Sequence, residues 1–218
     1  MSNVNSEPRW ERRKEARPGE LLAAALDLFA EKGFAATRLE DVAARAGVSK
    51  GTLYLYFDSK EDLFKAVVRG GIVRAIEEGE AMIEQFKGTA SELVRTIVLG
   101  WWERIGSTAL SGIPKLMLSE ARNFPELAQF YHSEVIQRGS LIFRRALERG
   151  IQVGEFRGVD IDYTVEVMLA PIIMLSVWRH SLGCCEPEPK DPLRYLEAYL
   201  DLALAGLRNP AFSEPSHG

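Results

Sequence analysis

The sequence predicts an all-α fold in two parts, a small N-terminal three-helix unit and a larger helical domain behind it, about nine helices in total. Three observations carry this. Apolar residues recur at spacings of three and four along almost all of the 218 residues, and no run alternates apolar and polar as a half-buried strand does. The 18 glycines and 10 prolines are scattered rather than clustered, and they cut the chain into helix-length pieces. Residues able to satisfy the free amides of a helix start stand ahead of several of those pieces.

Residues 1–17 are polar and locally basic (Arg9, Arg12, Arg13, Lys14, Arg17) and are expected to form a flexible tail. The first helix is expected from Pro18, a good first-turn residue. Leu21, Leu22, Ala25, Leu26 and Phe29 form its apolar stripe and Gly33 its C-terminal cap. Thr37-Arg-Leu-Glu40 reads as a capping box opening a short helix with Leu39, Val42, Ala43 and Ala46 on one face. Gly47 stops that helix. Ser49 is placed to cap a third helix of about two turns ending at Phe57. Ser59 opens a longer one reaching about Lys87, or about 42 Å at 1.5 Å per residue. These boundaries give a first domain over 18–64, with the connecting helix 60–87 beginning inside it.

The second domain is expected over 65–208, followed by a flexible tail at 209–218. Its helices are read at about 90–106, 110–121, 125–149, 161–182 and 192–207. Asp160 and Asp191 cap the last two, Pro171 should kink the first of that pair, and the segment around Cys184 to Asp191 is expected to be a loop.

Composition excludes several classes of function. The chain is 46% hydrophobic and 27% charged, as soluble domains are. Its N-terminus lacks the apolar core of a secretion signal. The most apolar run, Val167 to Trp178, contains Pro171 and falls short of the roughly twenty residues a membrane span needs. Cys184 and Cys185 are adjacent, so they do not form an ordinary structural bridge. Together these point to a cytoplasmic protein from a reducing compartment, with no membrane partner. The three histidines are far apart, and no metal-ligand spacing or phosphate-cradling glycine loop is visible. No catalytic constellation, metal or cofactor is therefore expected. Net charge is −4, unevenly shared: residues 1–70 carry 12 basic and 11 acidic residues, so the acidic excess lies behind them.

The stretch GVSKGTLYLYF, residues 47–57, is the most informative. With Leu53 at the centre of an inner helix face and about 100° per residue, Phe57 falls beside it, while Gly51 and Leu55 point straight outward. Thr52 and Tyr54 flank them. A helical glycine costs about 1 kcal/mol relative to alanine, and an outward one makes sense where another surface must approach the backbone. A short helix, a three-residue turn and a second short helix form a helix-turn-helix, whose second helix enters the major groove of DNA. Lys50 and Thr52 can donate to base edges or phosphates, Tyr54 and Tyr56 can bond phosphates, and Leu55 can meet thymine methyls. Lys60 and the amides of its helix start can meet phosphate, and Arg38 can reach a base or a phosphate.

The span from Leu22 to about Phe64, including ALDLFAEKGFAATRLEDVAARAGVSKGTLYLYFDSKEDLF, resembles the DNA-binding region of the TetR (tetracycline repressor) family of bacterial regulators. The resemblance implies that Ser49, Lys50, Gly51, Thr52, Tyr54, Leu55, Tyr56 and Lys60 face DNA. Leu55 departs from the family pattern, since that position is often polar or aromatic. The resemblance further implies a homodimer joined through the helices at about 161–182 and 192–207, a palindromic double-stranded operator, and a small hydrophobic effector bound in the second domain. A repressor is the expected role, with an activator as the alternative.

Trp101, Trp102, Met117, Phe124, Phe130, Tyr131, Met168, Met174 and Trp178 are large apolar residues spread over the second domain's helices, of the kind that line ligand cavities and fill cores. Glu120, Arg122, His132 and His180 are the polar groups placed to give selectivity. Gly70-Gly71, about three turns into the connecting helix, reads either as a soft point through which effector occupancy changes the spacing of two reading helices, or as a close crossing with another helix.

Overall fold

The computed structural model describes residues 9–212, and over them the chain is helical, with no strand among the described residues. Its only ladder-like pairing there is an isolated bridge between Phe156 and Arg208. Two compact units divide between Gly70 and Gly71. The parts of the expected tails at 1–8 and 213–218 lie outside the described residues.

In the first unit, α1 spans Arg9–Ala36, α2 Leu39–Arg45, α3 Lys50–Tyr54 and α4 Lys60–Val68. The first helix therefore begins ahead of Pro18, which sits inside it. Gly33 breaks the helical pattern at φ 82°, a left-handed conformation open to glycine at little cost. Leu21, Ala25, Leu28, Phe29, Phe34, Val42, Leu53, Leu63 and Phe64 close the core. Phe29, Phe34 and Phe64 meet with ring centroids 5.5–5.6 Å apart, two of the three contacts edge-on.

The capping box read at Thr37 is not what forms. Thr37 is buried, and its hydroxyl donates backward to the Leu28 and Gly33 carbonyls at 3.2 and 2.7 Å. Arg38 becomes the residue ahead of α2, with no side-chain cap. The hydroxyl ties the chain ahead of α2 back to carbonyls at and before the break in α1, a role the local pattern Thr-x-x-Glu does not reveal. Thr37→Val is expected to lower the unfolding free energy by about 1–2 kcal/mol by leaving those carbonyls short of a donor, read in denaturant melts followed by circular dichroism.

In the second unit, a π turn (Arg69–Val73) that begins in the first unit leads into α5 (Arg74–Gln85). α6 (Ala90–Trp101) ends in a second π turn (Trp102–Gly106), and α7 covers Gly112–Glu120. α8 (Pro125–Tyr131) and α9 (Arg138–Gln152) are separated by a third (His132–Gln137) where the periodicity reads one helix. α10 (Ile161–Arg179) and α11 (Pro192–Leu207) follow, capped by Asp160 and Asp191 as expected. A 3-10 turn, Leu182–Cys185, occupies the start of the expected loop. If segments joined by π turns are counted as continuous, nine α-helical elements result among the described residues.

Buried Glu155 fixes the start of α6, accepting from the Ala90 and Ser91 amides at 2.7 and 2.8 Å. Residues 209–212 are tied down as well: Asn209 donates through its backbone amide to the Glu155 carbonyl and through its side chain to the Gly154 carbonyl.

The two adjacent glycines differ. A β-carbon at Gly71 would come within 2.5 Å of the Leu110 side chain, whereas one at Gly70 meets only Leu22 at an ordinary 3.6 Å. The alternative reading, a close crossing, therefore describes Gly71. Gly70→Ala should leave the melting temperature unchanged or raise it. Gly71→Ala should lower it by displacing Leu110, at a cost of about 1–3 kcal/mol.

Candidate nucleic-acid interface and ligand cavity

The helix-turn-helix is assembled by short-range bonds. Val48 donates its amide to the Ala43 carbonyl, and Gly47 takes φ 67° to turn the chain. Ser49 caps α3, its Oγ accepting from the Thr52 amide at 3.1 Å and lying 2.8 Å from the Thr52 hydroxyl. Arg45 clasps Glu31 through two bonds of 2.7 and 2.8 Å, and Lys32 meets Asp41 at 3.2 Å, fastening α2 to α1. Ser59 caps α4 through the Asp62 amide at 3.0 Å.

Leu53 is fully buried and Phe57 and Val48 are half-buried. Outside, Leu55 is 82% exposed, and Tyr54, Tyr56, Gly51, Ser49 and Lys50 are exposed beside it. Thr52 is half-buried, and Arg38 is exposed ahead of α2. A β-carbon at Gly51 would meet only Ser49 Oγ, at 3.8 Å. Nothing within the chain requires glycine there.

Two cations of this face are engaged. Lys50 forms an ion pair with Glu40 and lies 5.6 Å from the Tyr54 ring centroid. Bonding with Lys50 lowers the Glu40 carboxyl's pKa, and the Lys50 ammonium's is raised in turn. Lys60 donates to the Phe34 and Ala35 carbonyls at 2.8 and 3.0 Å, and sits 4.5 Å over the Phe34 ring. Its ammonium thus ties the start of α4 to the end of α1, a role sequence spacing does not show.

The second unit holds a cavity of about 600 Å³ with mostly apolar walls. All three π turns reach it: Ile72 from the first, Arg104 and Ile105 from the second, His132, Val135 and Ile136 from the third. A π turn inserts an extra residue and widens a helix locally, and such turns recur at functional sites. Gly79, Gly100 and Gly139 also border the cavity, leaving room where side chains would stand. Arg104 is oriented by Glu78 at 3.3 Å and by the Gly100 carbonyl at 3.2 Å.

Of the large residues singled out above, Trp101, Met117 and Tyr131 border this cavity. Burial pushes the Tyr131 hydroxyl's pKa well up, so it stays protonated. Trp102 instead lies under the Arg179 guanidinium, 4.9 Å from its ring centroid. Met168 is in the core, its carbonyl accepting from the Tyr199 hydroxyl at 2.7 Å. Phe124 and Phe130 are half-buried away from the wall, and Met174 and Trp178 border a separate groove. Among the polar candidates only His132 is at the cavity; His180 lies 2.8 Å from the Ser111 hydroxyl, and burial holds its pKa below the usual imidazole range.

Residues 21–67 match the family model described as bacterial regulatory proteins, tetR family. The chain is 26% identical over 201 residues to the fatty acid metabolism regulator protein of Bacillus subtilis, covering 90% of this chain and 99% of that one. It is likewise 26% identical over 199 residues to the transcriptional repressor KstR2 of Rhodococcus jostii, covering 90% and 94%. Among solved structures, the transcriptional regulator FadR of Bacillus subtilis in complex with stearoyl-CoA superposes with a TM-score of 0.72 at 26% identity, covering 87% of this chain and 99% of that one.

Proposed function

Because the chain belongs to the tetR family of bacterial regulatory proteins and is a DNA-binding transcriptional regulator, we propose that it is a homodimeric repressor that holds a palindromic operator and releases it when a small hydrophobic effector fills the second unit's cavity. The observation that carries the DNA half is Gly51: the centre of the exposed face of α3 is bare, with no intramolecular reason to be. Such a surface lets a helix settle deep in a major groove. Lys50, Thr52, Tyr54, Leu55 and Tyr56 then supply base-edge and backbone contacts, and Arg38 and Ser49 the flank. Lys50 exchanges Glu40 for DNA on binding. Lys60 holds the start of α4 in place so that its free amides meet a phosphate.

The effector half rests on the apolar cavity reached by three π turns. Similarity to a regulator solved with stearoyl-CoA supports a long acyl group as the effector's apolar part, and about 600 Å³ is within the usual size of a ligand site. Arg104, His132 and Tyr131 are its polar groups. The dimer half rests on α10 and α11. α10 is long and apolar enough in composition to cross a membrane, yet only 28% of its most apolar 18-residue stretch is buried. Tyr163 and Val167 on α10 and Leu202 on α11 are each at least 70% exposed. A second copy covers these faces in a four-helix interface.

Selection of bound sequences from random DNA, repeated with long-chain acyl-CoA thioesters, tests the reading. Enrichment of one palindrome, lost in the presence of an acyl-CoA, is the expected result. Enrichment of no palindrome overturns the operator, and enrichment that no acyl-CoA changes overturns the effector class.

A further inference from the structure

Cys184 and Cys185 take no part in the readings above. They lie in the 3-10 turn between α10 and α11, both exposed, with their sulfurs 3.8 Å apart. Neighbouring side chains on an extended strand point to opposite faces; this tight turn brings the two thiols together. The turn is closed by its own bonds. Ser181 Oγ donates to the Val177 carbonyl at 2.5 Å, Cys184 Sγ donates to the Ser181 carbonyl at 3.2 Å, and the Glu186 amide donates to the Gly183 carbonyl at 3.3 Å. A β-carbon at Gly183 would lie 3.0 Å from the Trp178 carbonyl, so the turn sits tight on the end of α10. The residues flanking the pair, Gly183 and Glu186, both border the separate groove of about 480 Å³, walled in part by Pro189 and by Met174, Trp178 and Tyr195, which lie on the two helices that the proposed dimer also uses.

The geometry points to a chelating site for trivalent aromatic arsenicals, in which both sulfurs bind one arsenic and the aryl group lies in the groove. Thiol sulfur selects soft centres, and trivalent arsenic is satisfied by two protein sulfurs and its own carbon. Among the described residues no group of three metal-ligating side chains exists, and trivalent arsenic, which brings its own third substituent, needs only the two sulfurs. A disulfide would need the sulfurs at about 2.05 Å, a far larger approach than closing on a shared arsenic. The Cys185 pKa is raised, first by its hydrogen bond with Cys184. With phenylarsine oxide, two As–S bonds replace the As=O bond, and the two thiol protons leave with the oxygen as one water. No atom changes oxidation state.

The test is titration of the reduced full-length protein with phenylarsine oxide, followed by intact mass and a free-thiol count. One phenylarsenic per chain is expected, with both thiols lost together and recovered with excess ethanedithiol. Cys184→Ser and Cys185→Ser should each weaken retention by about 100-fold or more, because the second bond forms at intramolecular effective concentration. Two arsenicals per chain, or wild-type retention in either serine variant, overturns the chelate. Trp178→Ala should weaken phenylarsine oxide by about tenfold, as loss of an aromatic contact does, and leave arsenite unchanged. An equal effect on both probes, including none, overturns the groove's part. Met174→Ala repeats that comparison should Trp178→Ala fail to fold.

Discussion

Gly51→Leu is expected to leave the free protein as stable as before, or more stable by up to about 1 kcal/mol, while lowering operator affinity by about 100-fold or more. The two effects have opposite signs because they arise on different links of the chain from sequence to function. Leucine is a better helix former than glycine by about 0.8–1.0 kcal/mol. The β-carbon has open space, with Ser49 Oγ the nearest atom at 3.8 Å. The added side chain therefore disturbs nothing in the free unit. On DNA it stands where the backbone of α3 must come closest to the bases, holding the helix out of the groove and breaking the contacts of Lys50, Thr52 and Tyr54 at once. A hundredfold loss is about 2.7 kcal/mol, comparable to one or two base contacts. Circular dichroism melts and fluorescence anisotropy on the selected operator read the two quantities. Full operator affinity with unchanged stability would mean that the exposed face of α3 is not the reading surface.

That contrast also marks what a sequence discloses. In the first unit the signals are local and strong. Gly33 and Gly47 adopt positive φ, and Ser49 and Ser59 cap the helices they precede. The face expected outward from a 100° advance is the face that is exposed, with Leu53 fully buried and Leu55 the most exposed large apolar residue described. Each of these properties is decided within a few residues of chain. Thr37 and Lys60 escaped because their partners are not so near: the Thr37 hydroxyl reaches back to Leu28, and the Lys60 ammonium to Phe34 and Ala35.

In the second unit the distances in sequence are greater still, and the legibility falls with them. Helices are legible where the apolar period is clear, but the π turns are not, since an extra residue in a helix leaves the residue types unchanged. Large apolar residues are the only sign of a cavity in the sequence, and of those singled out only Trp101, Met117 and Tyr131 border it, because a cavity also needs places where side chains are small. Trp102 and Met168 serve packing and carbonyl contacts, while Gly79, Gly100 and Gly139 make the room. Three glycines on three helices would have been the better clue, had their mutual facing been known.

Gly139→Phe turns that observation into a measurement and should abolish induction while sparing operator binding. Gly139 borders the cavity from α9, one residue after Arg138, which is anchored to Glu80 at 2.8 Å. A β-carbon there meets nothing within 4 Å, so a larger side chain has somewhere to go without displacing its neighbours. The phenyl ring removes on the order of 100 Å³ from the site, about a sixth of its roughly 600 Å³, and stands in the path of an acyl chain. The backbone change favours the helix by several tenths of a kcal/mol, so the melting temperature should not fall. Operator affinity, set by the first unit's contacts, should stay within about twofold of wild type. Acyl-CoA binding by calorimetry should drop by about 100-fold or more, and release of operator at saturating wild-type effector should disappear. Such a protein would be a permanent repressor. If it still releases the operator at wild-type effector concentrations, the effector does not occupy this cavity.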